Sequence, residues 1–353
     1  MTAPGVPLPR DAVIGLVAIG RNEGARLRAC LTRARALADA GAIGPMVYVD
    51  SGSTDDSVAT AEELGVQVVH LDTSDGFTAG KARNAGAAAL AALPSPPALI
   101  QFVDGDAVLD EGWLPKARAA LEEDPTLAAT AGRRREMHPG ASIFNRMCDM
   151  EWNTPVGLAD AIGGDALYRA DAFHAVSGFD PGFICGEEPE LNRRLRAAGW
   201  RIRRLDAEMT LHDAAMTAWS QHFKRTERAG WAFAEGADRF GAAPDRYNAR
   251  EAKRIWFWGL AVPAGILGCA LLGLVWPPFW IAALLGLLAY PAMALKVARW
   301  RRGAHGDPWP HALLYGALVM LGKPWEALGA LRYHRGKARG ERARIIEYKG
   351  AQR

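Results

Sequence analysis

Apolar residues in the first third of the chain fall into short runs separated by amphipathic stretches. Val13–Ile19, Met46–Val49, Val66–Leu71 and Ala98–Val103 are compact, mostly apolar and rich in β-branched residues, as buried strands are. Between them, Glu23–Ala40 sets Leu27, Leu31 and Leu37 at helical spacing among arginines. Asp55–Leu64 reads as a second helix and Lys81–Leu93 as an alanine-rich third. Strand–helix alternation of this kind predicts an α/β fold with a doubly wound, mostly parallel sheet. Each run gives way at once to glycine and polar residues, and ligands bind such sheets beyond the carboxyl ends of the strands.

The pattern changes twice further on. From 136 to 250 it is less regular, with Gly163-Gly164-Asp165, Gly178-Phe179-Asp180 and an acidic helix start at Gly186. From Ile255 to Leu295 there is no Asp, Glu, Lys or Arg. Pro277-Pro278 divides that stretch into two candidate spans, about 255–276 and 279–298. About 20 helical residues cross a hydrocarbon core, and Lys296 can extend the second span by snorkelling. Trp256, Trp258, Trp276, Trp280 and Trp300 cluster towards the span ends, where interfacial anchors belong. His311–Leu331 is apolar but interrupted by Lys323, Pro324 and Glu326, and suits an interfacial or re-entrant helix.

Composition and charge sharpen this picture. Half of the 353 residues are hydrophobic, too many for a disordered chain and too few for a polytopic transporter. The net charge of +3 conceals a basic tail on an acidic body. Residues 296–353 carry 13 Lys/Arg and 4 Asp/Glu, leaving 29 basic and 35 acidic residues in 1–295. That asymmetry argues against nucleic acid as a partner and suits a tail that meets anionic lipid. Basic residues flank both spans, so the positive-inside rule puts both flanks in the cytoplasm. The first eleven residues are polar with no apolar signal region, so the N-terminal domain is expected to stay there too. Cys30, Cys148, Cys185 and Cys269 are widely spaced and form no CxxC, as reduced thiols do.

The candidate chemistry lies at strand ends. Asp104-Gly105-Asp106 follows the run ending at Val103, and two such carboxylates suit Mg2+ or Mn2+ bound together with phosphate oxygens. Asp50, at the end of the second run, can accept hydrogen bonds from a base or a ribose, while Gly52 allows close backbone approach. Lys81 and Arg83 stand at a helix start, where cations and the helix dipole favour a diphosphate. Trp152 and Trp200 are candidate platforms for a sugar ring. Taken singly, each motif has an ordinary reading as a turn, a helix cap or a solvated helix end.

Together they resemble the family 2 glycosyltransferases. The chain has a strand ending in Asn22-Glu23, then V-D-x-G-S-x-D at Val49–Asp55, A-R-N-x-G at Ala82–Gly86 and D-x-D at Asp104–Asp106. A glycine-rich turn follows at Ser177-Gly178-Phe179-Asp180, and an acidic helix start at Gly186-Glu187-Glu188-Pro189-Glu190-Leu191. These stand in the family's order over about residues 12–212. The resemblance implies a GT-A fold followed by a C-terminal transmembrane hairpin, and an inverting transfer from a nucleotide-diphospho-sugar. It implies that Asn22, Glu23, Asp50, Gly52, Lys81, Arg83, Asn84 and Asp104 line the donor site. Asp106 would bind the metal, with Asp104 on the ribose or a metal-bound water and His212 as a further metal or diphosphate ligand. Glu188 stands where the family has the Asp of its Glu-Asp pair, the general base, and the extra methylene leaves Glu187 as the other candidate.

The expected organisation is a tail (1–11), a nucleotide-sugar half (12–135), an acceptor half (136–250), the two spans (251–302), and an interfacial helix with a basic cytoplasmic tail (303–353). The expected acceptor is a glycan or a lipid-linked saccharide, and the expected place is the cytoplasmic face of the inner membrane, in a multi-pass protein. A sugar nucleotidyltransferase is the alternative enzyme, but Gly20-Arg21-Asn22-Glu23 is too short and acidic for its phosphate loop. A non-catalytic membrane scaffold is the other alternative, and it leaves the retained carboxylates unexplained.

Overall fold

The computed structural model describes residues 4–9 and 11–340, so the end of the basic tail lies outside the described residues. The chain forms two compact units. One consists of the residues up to His138 together with Glu151–Ala214, and the other of Pro139–Met150 with the residues from Ala215 on.

The first unit is built on one mixed sheet. Its elements are β1 (Ile14–Gly20), α1 (Ala25–Asp39), β2 (Met46–Asp50), α2 (Ser57–Glu63), β3 (Gln67–His70), α3 (Ala79–Ala91), β4 (Leu99–Asp104), β5 (Ala107–Leu109), α4 (Trp113–Glu123) and β6 (Leu127–Glu136). After α5 (Ile143–Glu151), which belongs almost wholly to the second unit, come β7 (Gly157–Leu158), β8 (Ala166–Arg169), α6 (Ala170–Ala175), α7 (Glu187–Ala197) and β9 (Arg201–His212). The strand order is β3-β2-β1-β4-β8-β6-β9-β5, with β7 on β9. The first four strands are parallel, as the strand–helix alternation predicts. Beyond β4 the sheet is mixed, because β8 runs antiparallel to both β4 and β6.

The apolar runs are apolar because helices cover both faces of these strands. Leu16, Val17, Val47, Val49 and Phe102 are fully buried. α1 turns Leu27, Cys30, Leu31, Ala34 and Leu37 inward, at the spacing of one helix face. Burying a leucine such as Leu27 or Leu31 contributes about 1.5–3 kcal/mol. Register then levels the strand ends. Gly20 pairs with Asp50 and Ile19 with Asp104, so the polar ends of β1, β2 and β4 share one edge of the sheet.

The second unit is helical. It holds α8 (Trp219–Phe240), α9 (Ala249–Trp256), a π-helical turn (Phe257–Ala261), α10 (Val262–Gly273), α11 (Phe279–His305) and α12 (Trp309–Ala338). Two helical stretches, Ala249–Gly273 and Phe279–His305, are long and apolar enough to cross a membrane. They run beyond the uncharged stretch at both ends, since helical hydrogen bonding continues into the flanking basic residues. The π turn redirects backbone carbonyls, and the Tyr290 hydroxyl donates to that of Trp258.

The weakly apolar segment after residue 309 forms one continuous helix packed along α8. A Cβ on Gly230 would lie 2.0 Å from the Glu326 carbonyl, and one on Gly329 1.9 Å from that of Glu227, so glycine is what lets the two backbones meet. Phe223 stacks on Trp325 at 3.9 Å. Lys323 and Glu326, which interrupt the apolar pattern, pair with each other at 2.7 Å.

The glycine of the A-R-N-x-G motif has a packing role. A Cβ on Gly86 would stand 2.3 Å from Cγ1 of Val17 in β1. Gly86→Ala is therefore expected to destabilise the fold by about 1–3 kcal/mol through overpacking. Thermal unfolding of the detergent-solubilised protein checks this, and an unchanged midpoint would contradict it.

Candidate active site

The site is assembled from loops at the levelled strand ends. Asp50 closes its own turn by accepting the backbone N–H groups of Gly52 and Ser53, each at 3.0 Å, and the Tyr48 hydroxyl at 3.2 Å. Gly52 has φ of +87°, a conformation costly for other residues. Asn22 is itself left-handed at φ +56° and is held there from both sides. Its backbone N–H donates to the Ser53 hydroxyl at 2.9 Å, and its side-chain Oδ1 accepts the Thr54 N–H at 2.7 Å. Glu23 pairs with Arg26 at 2.7 Å. Of these four expected donor-site residues, Asn22 ties the β1 loop to the β2 loop, while the bonds of Asp50 and Glu23 are local.

α3 supplies the cations, and they face different ways. The Thr78 hydroxyl caps this helix by accepting the Lys81 N–H at 3.1 Å. The Lys81 ammonium donates to the carbonyls of Asp75 at 3.3 Å and Gly76 at 3.0 Å, holding the preceding loop. Asn84 spends both ends of its amide on the Phe179 backbone, at 2.7 and 2.9 Å, and so fixes the glycine-rich turn. Arg83 points inward and is only 2% exposed. It meets Asp104 at 2.7 Å, Glu188 at 3.3 Å and Glu187 at 3.6 Å. Burial opposes its charge, but those three carboxylates outweigh burial and hold the guanidinium above its ordinary value.

The acids at β4 lie against His212. Its Nε2 is 3.2 Å from Asp106 and 3.8 Å from Asp104. Burial alone would raise the Asp104 carboxyl, yet Arg83 and His212 hold it well below the usual range. Asp104, Asp165 and His212 offer ligand atoms all within 4.8 Å of one another. Ligands at bonds of about 2.0–2.1 Å sit roughly 3 Å apart, a spacing that Asp106 and His212 meet at 3.2 Å and that Asp104 and His212 approach at 3.8 Å. Trp152 packs against the His212 ring at 4.8 Å, beside the site. Trp200 is buried and belongs to the core, which corrects the expectation that it could stack a sugar.

The two acids at the start of α7 are separated by burial. Glu187 is 2% exposed and lies behind Arg83, whereas Glu188 is 22% exposed. Two further charged residues reach this cluster without any motif to announce them: Asp165 and its partner Arg134. The one available signal was the Gly163-Gly164 pair placing an acid immediately before strand β8.

Comparison with known proteins settles the family. Residues 17–176 match the family model described as glycosyl transferase family 2. An uncharacterized glycosyltransferase of Mycobacterium bovis is 31% identical over 167 residues, covering 45% of this chain and 71% of that protein. The chain belongs to glycosyltransferase family 2. This glycosyltransferase is also 28% identical to the pre-mycofactocin glycosyltransferase of Mycobacterium tuberculosis over 226 residues, 60% of this chain and 44% of that one. The match to the O-antigen chain rhamnosyltransferase of Salmonella typhimurium takes in 53% of that protein, so the chain spans about half the length of these relatives. The fold is GT-A. A mannosyltransferase from Pyrobaculum calidifontis, solved with GDP-Man and Mn2+, shares it with a TM-score of 0.52 at 16% identity, over 92% of this chain and 88% of that one.

Removing the cation from this cluster strands its acids. Arg83→Met is expected to cost about 3–5 kcal/mol, the usual penalty for breaking a buried ion pair from one side. Thermal unfolding in EDTA reads this loss, and Arg83→Lys should recover part of it.

Proposed function

We propose that this glycosyltransferase moves a sugar from a nucleotide-diphospho-sugar to an acceptor hydroxyl with inversion, on the cytoplasmic face of a membrane. The observation that carries this reading is the convergence at one sheet edge on Asp104, which meets Arg83 beside Glu188 on one side and His212 beside Asp106 on the other. Asn22, Glu23, Asp50, Gly52, Lys81, Arg83, Asn84 and Asp104 shape the donor pocket, several of them by holding its loops. Asp50 remains the acceptor for the base. Asp104, Asp106 and His212 would hold Mg2+ or Mn2+, which when bound neutralises the departing diphosphate.

Glu188 is the better base of the two acids, because Glu187 is shut behind Arg83 while Glu188 reaches solvent. Its carboxylate takes the acceptor hydroxyl proton as the oxygen bonds to the anomeric carbon. The bond from that carbon to the diphosphate breaks, and its electron pair leaves with the diphosphate. One displacement of this kind inverts the configuration.

In this reading 12–135 is the donor half, 136–250 the acceptor half and 251–302 the membrane hairpin. Residues 303–353 supply the membrane-surface helix and the basic tail. The paired apolar helices and their basic flanks support an inner-membrane location and an acceptor that is a lipid-linked or envelope glycan. Anchoring raises the effective concentration of an acceptor held in the same membrane.

Membranes bearing the protein are assayed with UDP-, GDP- and dTDP-sugars and Mn2+, with and without EDTA. Transfer is expected to need the metal and to vanish in Asp106→Ala. Glu188→Gln is expected to keep donor binding and lose about 10²–10⁴-fold in kcat. If Glu187→Gln shows that phenotype instead, the base is one residue earlier. In a separate experiment, a C-terminal tag should resist protease in right-side-out vesicles and be cleaved in inverted ones. The opposite pattern would reverse the proposed topology.

A further inference from the structure

Asp165 is fully buried at the start of β8, where antiparallel pairing of Phe102 with Ala166 brings it beside the end of β4. One carboxylate oxygen accepts the Asp104 backbone N–H at 2.9 Å. The other accepts the Thr210 hydroxyl at 3.3 Å and pairs with Arg134 at 2.9 Å. A single side chain thus joins the turn that carries Asp104 and Asp106, the strand β9 two residues before His212, and strand β6. Arg134 is further fixed by lying over Trp152 at 5.4 Å, the ring that packs on His212.

A carboxylate this deeply buried is costly unless it is paired and hydrogen-bonded. Both oxygens of Asp165 already have such partners, and ligating a cation would sacrifice the Arg134 pair. Asp104 and Asp106 share the turn that follows β4, whereas His212 ends β9, so the spacing of their ligand atoms depends on how that turn is held against β9. We propose that Asp165 is a positioning residue that sets Asp104, Asp106 and His212 at metal-binding distance, with Arg134 neutralising it and leaving coordination to those three. This rests on the metal reading of the preceding section. It adds a residue outside the D-x-D motif whose removal weakens the cation site without removing a ligand. Partners behind metal ligands typically matter ten- to a hundredfold in affinity.

The full-length protein is titrated with Mn2+, alone and with UDP, GDP or dTDP, following the EPR signal of free Mn2+. Thermal unfolding is recorded in EDTA. Asp165→Asn keeps an acceptor for the Asp104 amide but leaves Arg134 unpaired, so Asp165→Asn/Arg134→Met is tested beside it. Thr210→Val removes one bond only. Mn2+ affinity is expected to fall about ten- to a hundredfold in both Asp165 variants, and by less in Thr210→Val. The double variant should unfold in EDTA near the wild-type temperature. Wild-type Mn2+ affinity in the double variant overturns the proposal, as does an Asp165 oxygen bonded to Mn2+ in a crystal of the complex. Should both Asp165 variants fail to fold, unchanged affinity in Thr210→Val overturns it. If the wild-type protein binds no Mn2+, or Asp106→Ala binds it equally well, the metal reading itself fails.

Discussion

A buried guanidinium among three carboxylates organises this site. Arg83 comes from α3, Asp104 from the end of β4, and Glu187 and Glu188 from the start of α7. None of these acids could be packed so closely without a cation between them, since like charges at short range disfavour ionisation. Holding them together fixes α7 against the sheet edge and keeps Asp104 ionised, with burial opposing and Arg83 prevailing. Arg134 pairs with Asp165 at 2.9 Å, although burial there still pushes that carboxyl up. The edge thus holds three carboxylates on one guanidinium and a fourth on another.

Beside these ion pairs there is a division between residues that meet substrate and residues that hold the pocket. Asn84 belongs to the A-R-N-x-G motif and Lys81 directly precedes it, yet both bind backbone: Lys81 the loop before α3, Asn84 the turn at Phe179. Asn22 likewise accepts a left-handed backbone so as to tie the β1 loop to the β2 loop. A motif marks positions that the chemistry needs, and much of that need is geometric. A pocket displaced by 1 Å loses rate as surely as one that has lost a ligand.

The helical unit follows a different physics. Its α8–α12 contact relies on Gly230 and Gly329 letting backbone meet backbone, with Phe223 stacked on Trp325 and Glu227 paired to Arg332. The two long apolar helices, by contrast, expose Leu267, Leu271, Leu284 and Leu285. A surface of that kind is suited to lipid rather than water.

The sequence alone determined the strands and helices of the first half, because buried parallel strands need apolar runs and their helices need one apolar face. It determined the D-x-D acids, the family and the uncharged double span, all of which are local in the chain. What only the tertiary structure decided was long-range. Beyond β4 the sheet turns antiparallel at β8, and that reversal brings Asp165 to Asp104, 61 residues apart. Nothing near Arg83 in the chain says that it faces acids 105 positions away, while its near neighbour Lys81 faces a loop. The difference in burial between Glu187 and Glu188 was equally out of reach, since both begin the same helix and both meet Arg83. Periodicity reports which face of an element is buried, but pairing between distant charges depends on strand order and register.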